Sequence, residues 1–217
     1  MRRSFKQFLI ESPLPDDWNH AIFDENISFN KRVAYAKQHA AQIGSGSARV
    51  CFIIPYQGRD TVLKIAKNKK GMAQNEHEAG CFGDYYLKNM GIVIPMIDYD
   101  EDNEQPTWIH VEKASKAKDS DFVKVCGGKL SDLIAHALKV TGKPGYSNGN
   151  PDKISDENEF AYDFANLIGN YDLPIGDFGR LANWGIYDGN PVIIDLGLND
   201  DIYKEHYTKK PKTNNWY

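Results

Sequence analysis

The run NWGIYDGNPVIIDLG, from Asn183 to Gly197, constrains this chain more than any other stretch. Asp188-Gly189 between apolar residues is a strong turn signal. With Asp188, Gly189 and Asn190 as a three-residue loop, Asn183 stands opposite Asp195. An amide oxygen and a carboxylate then converge at the open end of the hairpin. Hard oxygen donors of this kind suit Mg²⁺, which completes its shell with phosphate oxygens and water. Val192, Ile193 and Ile194 make the second strand a buried one, so Asp195 sits at a strand end beside a cleft. An aspartate that merely caps a turn with Gly197 is the plainer alternative.

The rest of the chain supplies strands first and helices later. Residues 29–43 read as a helix, with Val33, Ala36, Ala40 and Ile43 on one face. A Gly/Ser break follows from Gly44 to Ser47. Residues 49–56 and 61–66 are β-rich, and the turn from Gln57 to Asp60 joins them as a hairpin. Residues 71–90 read as one helix with Ala79, Phe82, Tyr86 and Met90 inward. Ile92–Ile97 and Trp108–Val111 read as strands around an acidic loop. Leu130, Leu133, Ile134 and Leu138 mark a helix over 130–139. Residues 142–153 read as a flexible loop, 155–169 as a helix with Phe160, Phe164, Leu167 and Ile168 inward, and 171–182 as irregular. Segregated strands and helices predict an α+β fold. The expected division is a helical extension over 1–42, a β-rich lobe with one helix over 43–114, and a short, mostly helical lobe over 115–217.

Three further elements carry chemistry. Gly44-Ser45-Gly46-Ser47 enters the first hairpin, and glycines let backbone N–H groups approach phosphates closely; an ordinary turn is the alternative. Lys64 lies inside the apolar run Val62-Leu63-Lys64-Ile65-Ala66, where a buried ammonium is costly without a partner. Alternation puts it on one face with Val62 and Ala66; otherwise it is an edge lysine reaching solvent. On the next helix, Glu78 stands beside the inward face and is the expected partner of Lys64, with Glu76 as the alternative and a solvated face as the plain reading.

Composition narrows the classes. The 217 residues carry a net charge of −4, which argues against a general nucleic-acid binder. Lys67, Lys69 and Lys70 form a local basic run that reads as a solvated turn or a phosphate contact. Cys51, Cys81 and Cys126 are odd in number and lack metal-ligand spacing, as expected of reduced thiols in a cytoplasmic protein. The opening residues lack the apolar core of a signal peptide, and no run reaches the ~18 apolar residues of a membrane span. Neither a membrane nor a nucleic acid is therefore an expected partner.

The ordered set of glycine turn, strand lysine, helix glutamate, Trp108–Ala114 linker, Asp–Asn loop and Ile-Asp-Leu-Gly resembles the protein-kinase-like superfamily, including aminoglycoside- and choline-kinase-type enzymes. The resemblance runs from about Ile43 to Leu198 and implies a two-lobed kinase-like fold with a small β-rich N-lobe and a short helical C-lobe. It implies an ATP- and Mg²⁺-dependent phosphotransferase acting on a hydroxyl of a protein or small molecule. Gly44, Ser45, Gly46 and Ser47 would cover the phosphates. Lys64, oriented by Glu78, would contact them. Backbone groups of Glu112 and Ala114 would meet adenine. Asp177 would take the acceptor's proton, with Arg180 beside the transferred group, and Asn183 and Asp195 would hold Mg²⁺. Asp177-Phe178-Gly179 spells the kinase metal tripeptide, but it follows Pro174-Ile175-Gly176 rather than an apolar strand, so Asp195-Leu196-Gly197 is the better match. The departures are Ala48 and Arg49 where a third phosphate-loop glycine belongs, no His-Arg before Asp177, a six-residue step to Asn183, and only 22 residues after Asp195. They keep open a pseudokinase or nucleotide-binding scaffold, and AMP transfer on the same fold. Ser4–Leu9 and the span AKNKKGMAQNE resemble tailed-phage proteins, which implies the host cytoplasm as the place of action.

Overall fold

A five-stranded antiparallel sheet in the order β1-β2-β3-β5-β4 forms the first half of the protein. The computed structural model describes residues 14–171 and 173–208, so the Ser4–Leu9 resemblance lies outside the described residues. After helix α1 (Phe29–His39) come β1 (Ala41–Ser45), β2 (Arg49–Tyr56) and β3 (Arg59–Ala66). Helices α2 (Lys69–Gly83) and α3 (Tyr85–Met90) follow, then β4 (Met96–Tyr99) and β5 (Trp108–Glu112). The β2–β3 turn is tighter than the four residues expected, because Tyr56 already pairs with Arg59. Gln57 and Gly58 both take positive φ, 49° and 78°, which matches the right-handed twist of the flanking strands.

Strand β3 is central and buried on both faces, which explains its nearly continuous apolar run. On the outer face, Phe52, Ile54, Leu63 and Ile65 pack against Leu14, Trp18 and Phe23 from the N-terminal segment and against Ala36 of α1. Trp18 stacks on Phe23 and meets Tyr35 edge-on. The helix expected over 29–43 stops at His39, and Ala40 turns extended (φ −143°, ψ 151°). Pairing of residues 41–45 with β2 outcompetes the helical period, so Ile43 lies on an edge strand, 54% exposed, instead of inward.

The single helix expected over 71–90 is two. The Asp84 carboxylate accepts from the amides of Tyr86 and Leu87, capping α3 and turning the chain. Tyr86 consequently faces solvent, 71% exposed. The strand expected at Ile92–Ile97 is displaced to Met96–Tyr99. Ile92 and Ile94 instead bond Ile193 of the closing hairpin, through Ile193 N to Ile92 O (2.8 Å) and Ile94 N to Ile193 O (2.9 Å).

The second half is mostly helical. Strand β6 (Ser115–Lys116) leads into α4 (Asp119–Cys126), which the sequence reading did not anticipate, then α5 (Leu130–Thr141) and α6 (Glu159–Asn170). The short α7 (Ile175–Phe178) lies within the stretch read as irregular. Strands β7 (Trp184–Tyr187) and β8 (Asn190–Ile193) close a three-stranded sheet with β6, and α8 (Asp200–His206) follows. Trp184 anchors this core, with Phe122 edge-on at 5.0 Å between ring centres and its indole N–H on Phe178 O at 2.7 Å. The loop over 142–153 is tied down rather than free. Buried Asp132 accepts from the amides of Lys129 and Asn150 and from the Lys153 ammonium. A Cβ on Gly149 would stand 2.1 Å from Ser131 O, so only glycine allows this approach to α5. Architecture and order are α+β, as the segregation of strands and helices predicts.

Candidate functional site

Between the five-stranded sheet and the closing hairpin lies a cleft of about 950 Å³. Its roof is the inner face of β2 and β3. The tight Gln57-Gly58 turn sets the register Arg49↔Ala66 and Cys51↔Lys64, so Arg49, Cys51 and Lys64 leave the sheet on the side opposite Phe52 and Leu63. Lys64 Nζ bonds the carboxylate of Glu78 on α2, and it donates to Ile194 O at 2.6 Å. Glu78 is fully buried. Glu76, the alternative partner, accepts instead from Gln105 Nε2 at 2.8 Å.

Arg49 completes a four-residue cluster. Its Nη1 donates to Glu78 Oε2 and its Nη2 to Asp195 Oδ1, each at 2.5 Å. Burial disfavours the guanidinium charge, yet Asp195 and Glu78 outweigh it and hold Arg49 above its ordinary range. Burial also pushes the Asp195 carboxyl up, and Arg49, Lys64 and the Gly197 amide overcome that and keep it below the usual value. Close packing at the mouth of α2 supports the geometry: a Cβ on Gly71 would meet Ala48 O at 2.3 Å, so only glycine lets the helix start this near β2.

The hairpin register differs from the sequence expectation by one residue. Asp188 and Gly189 form a two-residue turn, with φ 47° and 83°, and Tyr187 pairs with Asn190. Asn183 therefore stands opposite Ile194, whose amide donates to Asn183 O at 2.9 Å. A two-residue loop places Asp-Gly at both positive-φ positions, whereas a three-residue loop leaves Asn190 idle in the turn. Asn183 Nδ2 donates to Asp177 O at 2.9 Å, so Asn183 braces α7 rather than facing Asp195 across the ladder. Both Asn183 and Asp195 still line the cleft. Asp177 and Arg180 line it too, with Arg180 Nη1 3.8 Å from Asp177 Oδ1. Burial raises the Asp177 carboxyl; Arg180 opposes the shift and Asp195 adds to it.

The glycine turn covers one end of the cleft. Gly46 N–H is taken by Arg49 O at 2.9 Å, so it is not free for a phosphate in this conformation. The basic run clasps the turn instead of simply being solvated. Lys67 Nζ donates to Ser45 Oγ (3.1 Å) and Gly46 O (2.7 Å), and Lys70 Nζ to Ser47 Oγ (3.0 Å). Tyr207, beyond α8, lies under Lys70 with 4.2 Å from Nζ to the ring centre, and its hydroxyl accepts from Gln74. Glu112 and Ala114 line the opposite end; Glu112 N–H is bonded to Pro95 O and its carboxylate to Arg59. Sequence reading missed Arg49 as a site residue, as well as Gln74 and Tyr207. Arg49 was within reach of the pattern, because it lies two positions from Cys51 and hence on the Lys64 face.

Among the described residues no three His, Cys, Asp or Glu side chains gather into a metal-binding group. Asp195 does offer hard oxygen, its side chain is 49% exposed, and Asn183 adds an amide oxygen at the same cleft. That donor set fits an ion such as Mg²⁺ carried in with a polyphosphate. Among the described residues no helix is long and apolar enough to cross a membrane.

No family model matches the chain, and no curated protein matches it. Among solved structures it is similar to a thermostable mutant of aminoglycoside phosphotransferase APH(4)-Ia in ternary complex with AMP-PNP and hygromycin B, at 15% identity and a TM-score of 0.35. That alignment covers 74% of this chain and 66% of the other, so the chain spans just under two-thirds of that protein's length. A second structure of APH(4)-Ia matches at 15% identity and TM-score 0.35, over 78% of this chain and 71% of the other.

Proposed function

We propose that the protein is a kinase-like phosphotransferase that binds ATP in this cleft and passes a phosphoryl group to a hydroxyl on a small molecule or protein. One observation carries the reading: the junction at Lys64, where a strand ammonium meets a buried helix carboxylate and the carbonyl one residue before Asp195. An ammonium held this way is a fixed positive charge at the cleft wall, suited to a phosphate oxygen. Glu78 keeps it aimed at the cleft wall.

The other groups follow by position. The Gly44–Ser47 turn, with Lys67 and Lys70 on its hydroxyls, would cover the phosphates; Glu112 and Ala114, at the far end, would meet the base. Asn183 and Asp195 would hold Mg²⁺, which supplies charge neutralisation to the polyphosphate when bound. Asp177 would accept the acceptor's proton as the oxygen attacks phosphorus and ADP leaves. Burial raises its pKa, which makes it a stronger base than an ordinary aspartate. The Asn183 side chain, bonded to Asp177 O, would fix the base over the six-residue step between them. Arg49 on Asp195 favours a second reading, a nucleotide-binding pseudokinase, since the carboxylate that would hold the metal is already engaged.

The test is thermal unfolding with ATP and Mg²⁺ together. A ligand at 100 times its Kd adds about 2.7 kcal/mol to stability. A rise in Tm that Lys64→Met abolishes supports the reading. No rise in the unmodified chain contradicts both readings. A rise without turnover of ATP on any hydroxyl acceptor favours the pseudokinase.

A further inference from the structure

Arg49 has no task in the mechanism above, yet the site is built around it. It is 6% exposed, and its guanidinium bridges Glu78 and Asp195 while approaching Asn75 Oδ1 at 3.4 Å. A Cβ on Gly197 would stand 2.6 Å from Arg49 Nη2, so the glycine of Asp195-Leu196-Gly197 makes room for the guanidinium. The charges balance before any ligand arrives: Glu78 and Asp195 against Lys64 and Arg49. Asp195 Oδ1 is already committed twice, to Arg49 Nη2 and to the Gly197 amide at 3.1 Å. A divalent cation is ordinarily needed in such a site because a carboxylate and a polyphosphate repel each other. Here a side chain already cancels the carboxylate's charge.

We infer that Arg49 is a tethered counter-cation that sets the metal dependence of this cleft, so that a nucleoside polyphosphate binds without an obligatory divalent ion. The inference rests on the nucleotide reading above. It assigns Arg49 as a positioning and specificity-determining residue. The rigid guanidinium fork keeps its charge at any ordinary pH and holds Asp195 in place, as a hydrated ion would, but from a fixed point on β2. Removing it leaves Asp195 with only the Gly197 amide and Lys64, whose charge is shared with Glu78, to offset its anion beside the phosphates, and metal then becomes necessary.

The experiment is calorimetric titration of the full chain with ATP, once in EDTA and once in excess Mg²⁺, for the unmodified protein, Arg49→Ala and Arg49→Lys. The unmodified protein is expected to bind with affinities within about threefold of each other in the two conditions. Arg49→Ala is expected to lose about tenfold or more in EDTA and to recover in Mg²⁺, because a buried partner of a charge has been removed. Arg49→Lys, which keeps the charge, is expected to retain metal-free binding. Mn²⁺ binding followed by electron paramagnetic resonance without nucleotide adds an independent readout, with tighter binding expected for Arg49→Ala. Should Arg49→Ala fail to fold, the unmodified chain still decides the matter. Binding by the unmodified protein only with Mg²⁺ overturns this inference alone, leaving the nucleotide reading intact. Absence of binding in both conditions overturns the two together.

Discussion

The two faces of strand β3 carry opposite chemistry. Leu63 and Ile65 point outward into aromatic and aliphatic packing against Trp18, Phe23 and α1. Lys64, one residue away, points inward to an ionic cluster with Glu78, Arg49 and Asp195. A period of two separates them, so one strand serves stability on one side and chemistry on the other.

The largest effect is expected from Glu78→Ala. It strands two buried cations, and breaking a buried ion pair from one side costs ~3–5 kcal/mol. Chemical denaturation should register it, and Glu78→Gln should recover part of the loss. On the other face, Leu63→Ala is expected to cost ~2–5 kcal/mol through transfer and cavity terms. Its nucleotide affinity per folded molecule should stay unchanged; a large change there would break the division between faces. In the helical half, Asp132→Ala should cost ~1–3 kcal/mol by leaving the amides of Lys129 and Asn150 without an acceptor. The acid response sharpens the comparison further. Asp195 is held below its ordinary 3.8, so its contribution is fully present above that value and is lost as pH falls through the lower folded-state value. Arg49→Ala should move the acid transition to higher pH, read by circular dichroism. The smallest effect is at Gln57, with φ 49°: Gln57→Asn, a residue that accepts this conformation more readily, should gain a few tenths of a kcal/mol.

Much of this arrangement was legible in residue order. The β2–β3 hairpin follows from two β-rich runs joined by a turn within residues 57–60, and alternation alone assigns Lys64 to the face opposite Leu63. Asp195 at a strand end follows from Val192-Ile193-Ile194. What escaped had definite causes. Ile43 fits a helical period, but the edge of the sheet claims residues 41–45. Asp84 reads as one polar helix residue among many, and only its bonds to Tyr86 and Leu87 reveal a cap. The closing hairpin turns in two residues where the sequence predicts three, and this sets Asn183 opposite Ile194 instead of Asp195. Arg49 stands where the resemblance expects a glycine, and its role depends on Asp195, 146 positions away in sequence.

Calorimetric titration of Mg·ATP into Lys64→Met, beside the unmodified chain, tests the central claim most directly. The account predicts one-to-one binding to the unmodified protein, and loss of that binding in a variant whose circular dichroism shows it folded. Binding that survives in Lys64→Met with unaltered affinity would contradict it.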